Sequence, residues 1–252
     1  MTAPLALITG GQQGIGLGIA RALTGAGWRL ALAADLPPEA DTVQAALADL
    51  GPGAQYFRHD LADVQAIPAL LGAVAKMGPI SALVQNAGVP ARVRGDMLEI
   101  TPENFDWAMA INLRGAFFLA QAVARQMLAT PADHYRSITF ITSVSAAMAS
   151  VERADYCISK AAASMAAKVL ALRLASDGIG VFEVRPGIIE TSMTAGVKGK
   201  YTARIEAGLV PAGRWGQPED IGSVVLPLVN GQMGFATGAV IPVDGGLSIE
   251  RL

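Results

Sequence analysis

Apolar residues fall along this chain in two alternating patterns. Short, near-continuous apolar runs at residues 5–9, 30–34, 54–58, 80–85, 137–142, 180–184 and 239–243 have the length of strands. Between them, Ala-rich stretches at 15–26, 41–50, 66–77, 102–128 and 156–176 mix apolar and polar positions and are long enough for helices. The β-α-β-α rhythm predicts the α/β class, with one doubly wound parallel sheet and helices on both faces. Strands that are apolar at successive positions fit a sheet buried on both sides. No composition shift or long linker divides residues 1–252, so a single domain is expected. Residues 188–217 break the rhythm with Gly196, Gly199, Gly208, Gly213 and Pro211. An excursion of that length predicts a lid over a substrate.

Composition narrows the function classes. Hydrophobic residues make up 52% of the chain and charged residues 16%, and the net charge is −2. With no Lys/Arg-rich block, a nucleic-acid partner is not expected. The one cysteine, Cys157, makes an internal disulfide impossible. Beside Tyr156 it invites a nucleophile reading, against the plainer one of a small packing residue. The sequence Met1-Thr-Ala-Pro-Leu runs straight into a strand-like segment, so no signal peptide is expected. No uninterrupted apolar run reaches ~18 residues, so no membrane span is expected and the cytoplasm is the default compartment. No metal-ligand set is read from the sequence.

The first run ends in Thr9-Gly10-Gly11-Gln12-Gln13-Gly14-Ile15-Gly16 and leads into a helical pattern. Glycines there permit a tight turn and close approach of backbone to a pyrophosphate, while the helix N-terminus offers free N–H groups. The spacing Gly-x3-Gly-x-Gly departs from the GxGxxG form. The second run closes on Asp35, nineteen residues past Gly16. A carboxylate at this separation suits a ribose 2′-hydroxyl and repels a 2′-phosphate. Gln12, Gln13 and Leu36 offer no compensating cation, so NAD is expected over NADP. The plainer alternative is that Asp35 starts the turn through Leu36-Pro37-Pro38.

Tyr156-Cys-Ile-Ser-Lys160 places a phenol and an ammonium four residues apart, on one face of a helix. A phenol titrates near pH ~10. A unit charge ~4 Å away at an effective dielectric of ~20 is worth roughly 4 kcal/mol, enough to bring the phenol toward neutrality. The pair therefore reads as a general acid and base.

These segments together resemble the short-chain dehydrogenase/reductase family, and the resemblance spans essentially the whole chain. Thr9–Gly16 is similar to the family's TGxxxGIG loop, and His59-Asp60-Leu61 to the segment whose Asp meets the adenine ring. Gln85-Asn86-Ala87-Gly88 is similar to its NNAG, with Gln in the first position. Ile111-Asn112-Leu113-Arg114-Gly115 carries its helix Asn, and Ile141-Thr142-Ser143-Val144-Ser145 its Ser. Arg185-Pro186-Gly187, followed by Thr191, is similar to the nicotinamide segment, and Pro242-Val243-Asp244-Gly245-Gly246 to its C-terminal signature. Thirteen residues separate Ser143 from Tyr156, as is usual in the family.

The resemblance implies a Rossmann fold and reversible hydride transfer between nicotinamide and a carbonyl/alcohol carbon. It assigns Asn112, Ser143, Tyr156 and Lys160 to catalysis: Tyr156 exchanges the proton, Ser143 bonds the substrate oxygen, Lys160 lowers the Tyr156 pKa, and Asn112 holds a water leading to Lys160. It assigns cofactor contacts to Gly10, Gln13, Gly14, Ile15, Gly16, Asp35, Asp60, Leu61, Asn86, Ala87, Gly88, Tyr156, Lys160, Pro186, Gly187, Ile189 and Thr191. The substrate pocket is expected between residues 89–94, 146–153 and 188–217. Arg92, Arg94 and Arg153 are placed there to meet an anionic substrate, or else are solvated loop residues. Met148, Val151 and Met193 give it apolar walls.

Two enzyme readings compete: a NAD-dependent dehydrogenase of a sugar, polyol or other small secondary alcohol, and a 3-oxoacyl-acyl-carrier-protein reductase using NADPH. His134 and Asp177 stand where such reductases present arginines to the acidic carrier, which weakens the second. A non-catalytic nucleotide sensor is the remote third reading. The long helices at 102–128 and 156–176 are apolar on more than one face, and their equivalents in the family pair across subunits. A homotetramer, or a dimer, is therefore expected.

Overall fold

The structure is a computed structural model that describes residues 2–131 and 133–251; Met1, Ala132 and Leu252 lie outside the described residues. Seven strands, β1 (Leu5–Thr9), β2 (Arg29–Ala34), β3 (Ala54–Arg58), β4 (Ala82–Gln85), β5 (Arg136–Ile141), β6 (Ile179–Pro186) and β7 (Val240–Val243), form one sheet. Its order is β3-β2-β1-β4-β5-β6-β7, and each neighbouring pair is parallel. The helices are α1 (Gly14–Gly25), α2 (Asp41–Leu50), α3 (Ile67–Val74), α4 (Pro102–Met109), α5 (Ala116–Ala129), α6 (Ala154–Leu174), α7 (Ser192–Ala195), α8 (Lys198–Glu206) and α9 (Pro218–Val229). Strand β1 shows why its sequence is apolar throughout: Leu5 and Leu7 enter the core beneath α3, α5 and α6, while Ala6 and Ile8 enter the core beneath α1 and α9. Chain order reverses between β1–β2 and β1–β4, and a crevice opens there at the strand C-termini.

The expected doubly wound α/β sheet is therefore the observed one, and the strand assignments hold with small shifts at their ends. Three features differ from the sequence reading. Helix α9 was not expected, because Gly222 and Pro227 interrupt its pattern. The glycine serves a close crossing instead: a Cβ on Gly222 would lie 2.6 Å from the Gly18 carbonyl oxygen, and one on Gly18 2.5 Å from that of Pro218. Pro218 at the helix start and a capping box between Gln217 and Asp220 mark where α9 begins.

The helix expected at 102–128 runs over Pro102–Ala129 but is not α-helical throughout. A π-helical stretch, Ala110–Gly115, separates α4 from α5. A Cβ on Gly115 would stand 1.9 Å from the Leu61 carbonyl oxygen, so only glycine lets the helix lie this close to the loop after β3. By length and composition Pro102–Ala129 is apolar enough to cross a membrane, but its inner face, with Leu119, Val123 and Met127, belongs to the core. Finally, the excursion contains α7 and α8 and is closed at its base, where Glu190 N donates to Gly216 O (2.9 Å) and Gly216 N to Ile188 O (3.0 Å).

Candidate functional site

The crevice holds two adjoining spaces. The first, about 230 Å³, lies over the C-terminal ends of β1, β2 and β4. Gly10, Gln13, Gly14, Ile15, Asp35, Asp60, Leu61, Asn86, Ala87, Gly88 and Thr191 all line it. Gly16 sits below the loop, where a Cβ would meet the Gly10 carbonyl oxygen at 2.0 Å. Gly10 and Gly14 take φ of +67° and +51°, the left-handed region that glycine enters without strain.

Three side chains hold this loop in shape. Thr9 Oγ1 accepts from the Asn86 and Ala87 amides, each at 3.0 Å. The Asn86 amide donates to Thr9 O (2.9 Å) and Gly10 O (3.2 Å), so Asn86 ties the end of β4 to the glycine turn. Gln85, which replaces the family's first Asn, donates to Ala116 O (2.8 Å) and accepts from Thr9 Oγ1. At the far end, the Tyr56 hydroxyl sits on the carbonyls of Ala34 (2.9 Å) and Leu36 (2.7 Å) and fixes the bend that carries Asp35. Burial and the Asp35 charge push the Tyr56 phenol up to about 12, so it remains a donor.

Sequence reasoning missed Gln12, His59, Val89 and Ile111 in this cleft. His59 carried a signal, being next to Asp60. Burial lowers its imidazole below the usual histidine range. Gln12 Oε1 and His59 Nε2 are buried without a hydrogen-bond partner. A polar ligand would satisfy both. A glycine cradle with no room for a Cβ, orphaned polar atoms and a carboxylate at the second strand fit a dinucleotide.

The second space, about 370 Å³, is larger and shares Ile15, Thr191 and Met193 with the first. Ser143, Tyr156, Pro186, Gly187 and Ile189 line it. Ser143 Oγ accepts from the Ser145 amide (3.0 Å), and its hydroxyl faces that of Tyr156. Thr191 caps α7 through a capping box with Thr194 and thereby joins the two spaces. A Cβ on Gly187 would come within 2.7 Å of Asp244 Cα, so the C-terminal Asp244-Gly245-Gly246 turn packs directly behind the Pro186-Gly187 corner.

Behind Tyr156 lies Lys160, buried, with its ammonium donating to Ile141 O (3.2 Å). Burial lowers it to about 8, and the Glu183 charge works against that shift. Glu183 is 1% exposed and accepts from Thr142 Oγ1 (2.6 Å), Ser164 Oγ (2.7 Å) and Arg185 Nε (2.7 Å). Tyr156, Lys160 and Ser164 follow one another at i, i+4, i+8 on α6, so one helix face carries the phenol, the ammonium and an anchor for the carboxylate.

One expectation about this group needs correction. Burial raises the Tyr156 phenol above its ordinary value; the Ser143 hydroxyl and the Arg153 and Arg94 guanidiniums pull it back, and Lys160 is not among the groups that do. The ammonium donates to the Ile141 carbonyl and stands 5.8 Å from the Tyr156 ring centroid. The Asn112 side chain bonds protein groups: its amide donates to Val89 O and Ser159 Oγ (both 3.0 Å), and its carbonyl accepts from Val89 N (2.8 Å). The π-helical turn aims this side chain at the loop after β4.

The pocket wall also differs. Arg94 and Arg153 line the second space, but Arg92 does not; its guanidinium stacks 4.2 Å from the Trp107 ring centroid. Met148 and Met193 are in the wall, whereas Val151 is 67% exposed outside it. Leu247, from the C-terminal end, was not anticipated there.

A family model described as "Enoyl-(Acyl carrier protein) reductase" matches residues 10–248. The chain belongs to the short-chain dehydrogenase/reductase family. It is an oxidoreductase of a CH–OH/carbonyl couple and binds a nicotinamide cofactor. It is similar to human L-xylulose reductase (32% identical, covering 95% of this chain and 94% of that one). It is also similar to galactitol 2-dehydrogenase (L-tagatose-forming) of Cereibacter sphaeroides (32% identical, 97% and 94%). Among solved structures it resembles a 3-oxoacyl-[acyl-carrier protein] reductase from Brucella melitensis in complex with NAD, at 50% identity and a TM-score of 0.96 over the whole of both chains.

Proposed function

We propose that this protein is an NAD(H)-dependent oxidoreductase acting on a secondary alcohol or ketone of a small polyhydroxylated molecule, such as a sugar or polyol. One observation carries the reading: the Ser143 and Tyr156 hydroxyls line a cavity that shares Ile15, Thr191 and Met193 with a glycine-walled nucleotide cleft. The nicotinamide, when bound, supplies or accepts the hydride. Tyr156 gives a proton to the carbonyl oxygen on reduction and takes it back on oxidation. Ser143 donates a hydrogen bond to the same oxygen as charge develops there. Lys160 carries positive charge to the base of the site, and Glu183 keeps that charge in place against burial. Asn112 acts as a latch, holding the Val89 loop and Ser159 on either side of Lys160.

Asp35 supports NAD: it lines the cleft where a 2′-phosphate would fall, and no Lys or Arg lines that cleft. Arg58 is nearby, but its Nε donates to the Asp35 backbone carbonyl (3.1 Å) on the exposed side. The relatives named for L-xylulose and galactitol support a polyol or sugar substrate. The carrier-protein reductase reading is favoured by the name of the 50% identical structure. Against it, Asp177 presents a carboxylate paired with Arg173 (2.7 Å), and His134 bonds Thr2 O, where arginines would be wanted. The exposed face of α6, with Ile158, Met165, Val169 and Leu172, supports a homotetramer or dimer; a monomer by light scattering would refute the assembly. A panel of sugars, polyols and 3-oxoacyl thioesters, assayed with both cofactors by nicotinamide absorbance, tests the function. Turnover confined to acyl thioesters with NADPH would replace it.

A further inference from the structure

Among the described residues, the larger cavity is lined by four cations, Arg94, Arg153, Lys200 and Arg204, against a single carboxylate, Glu152. The chain as a whole is acidic, with a net charge of −2, so this surplus is local. Its members come from three separate segments: the loop after β4, the turn before α6, and α8 of the excursion. Most other arginines of the protein are committed. Arg21, Arg173, Arg185 and Arg214 pair with carboxylates; Arg29, Arg58, Arg136 and Arg251 donate to carbonyls; Arg92 stacks on Trp107. Among the described residues, Arg94, Lys200 and Arg204 have no ion pair or hydrogen bond, and Arg153 meets only the Tyr156 ring, 5.6 Å from its centroid. Lys200 and Arg204 are also i,i+4 neighbours on α8, an arrangement of like charges that is unfavourable in a helix unless an anion lies between them.

We propose that the substrate carries an anionic group, a carboxylate or phosphate, close to the reacting carbon, and that Arg94 and Arg153 from the fixed wall and Lys200 and Arg204 from the excursion bind it. This rests on the oxidoreductase reading and sharpens its substrate to a hydroxy acid or an alcohol phosphate. Arginine forks suit either oxyanion, and Arg153 beside Tyr156 sets the anion near the proton-exchanging hydroxyl. Hydroxyls of Ser145, Ser150 and Tyr201 in the same wall are available to the neutral end of such a molecule. The redox step keeps its balance. NAD⁺, held by the Gly10–Gly16 loop and Asp35, would supply the acceptor for the hydride that leaves as the carbinol C–H bond breaks. The O–H proton passes to Tyr156 and a C=O bond forms. The Tyr156 phenol, raised by burial and lowered by Arg94 and Arg153, would feel an anion on those arginines as a loss of that lowering.

The test uses the full chain with NAD and matched substrates: galactonate against galactitol, ribonate against ribitol, and each alditol against its phosphate. Acids or phosphates should exceed the neutral partner in kcat/KM by about 100-fold, two charge-assisted contacts at roughly tenfold each. The carboxylate and phosphate arms say which anion is read. Arg94→Met, and Lys200→Met with Arg204→Met, should each cut the anion-over-neutral ratio at least about tenfold, while Arg92→Met leaves it as in the wild type. Equal turnover of charged and neutral partners, or a ratio insensitive to these changes, overturns the proposal while the oxidoreductase reading stands. Where no pair is turned over, melting of the NADH complex with galactonate, ribonate and galactitol phosphate decides: no upward shift with any anion overturns it. Failure of NADH to bind at all would instead sink the underlying reading.

Discussion

The glycine-walled cleft, proposed to hold the cofactor, and the larger cavity, proposed to hold the substrate, meet at Ile15, Thr191 and Met193 but are built by opposite means. Most of the cleft comes from the first ninety residues, and much of its wall is backbone: glycine turns, strand ends and a helix start, with Asp35 and Asp60 as its charges. Nearly all of the cavity comes from later and scattered segments, its wall is side chain, and its charges are cations with one carboxylate among them. A surface made of backbone can bind one fixed ligand and tolerate little change. A surface made of side chains on loops can be refitted to a new substrate without disturbing the sheet.

Four experiments separate the two regions, in descending order of effect. Tyr156→Phe should lower kcat by ~10²–10⁴-fold, as for loss of a general acid-base group, while NADH titration by fluorescence still saturates; near-normal turnover would remove Tyr156 from the chemistry. Lys160→Met should change the pH dependence of stability. The folded-state value of Lys160, about 8, lies below its ordinary 10.5, so between those pH values the unfolded chain holds the extra proton and stability rises with pH. The gain from this one group is about 3 kcal/mol. Melting curves at pH 7, 8 and 10 should show that rise in the wild type and lose it in the variant.

Asp35→Ala acts on the cleft alone. It should move the NADP-over-NAD ratio of kcat/KM upward by roughly tenfold or more, with the substrate preference unchanged; an unmoved ratio would mean that Arg58, not Asp35, decides the cofactor. Arg92→Ala is the smallest. Since Arg92 stacks on Trp107 outside the cavity, substrate KM should stay within about twofold and stability should drop by only ~0.5–1 kcal/mol. A large rise in KM would return Arg92 to the pocket.

The regions also differ in how far they could be read beforehand. Gly10, Gly14, Asp35 and Asp60 follow one another in a contiguous β-α-β-α-β stretch, where spacing alone places them around one crevice. For the cavity, residue type did not separate Arg92 from Arg94, two positions apart. The loop between β4 and α4 sends one to Trp107 and the other to the substrate wall. Lys200 and Arg204 lie in an excursion whose course no periodicity specified. Helix α9 was hidden because Gly222 and Pro227 look like breakers, when the glycine is there for contact with Gly18.

By itself, the sequence determined the parallel sheet, its helices on both faces, the glycine turn with Asp35 at the end of the second strand, and the spacing of Tyr156 and Lys160 along one helix face. These follow from local periodicity and from chemistry at short, fixed separations. Only the tertiary structure decided where the Lys160 ammonium points and that Glu183, held by Thr142, Ser164 and Arg185, stands behind it. It likewise decided that a π-helical turn aims Asn112 and that four unpaired cations gather at one cavity. Each of these depends on distances between segments far apart in the chain, set by how the helices pack on the sheet rather than by any repeat along the sequence.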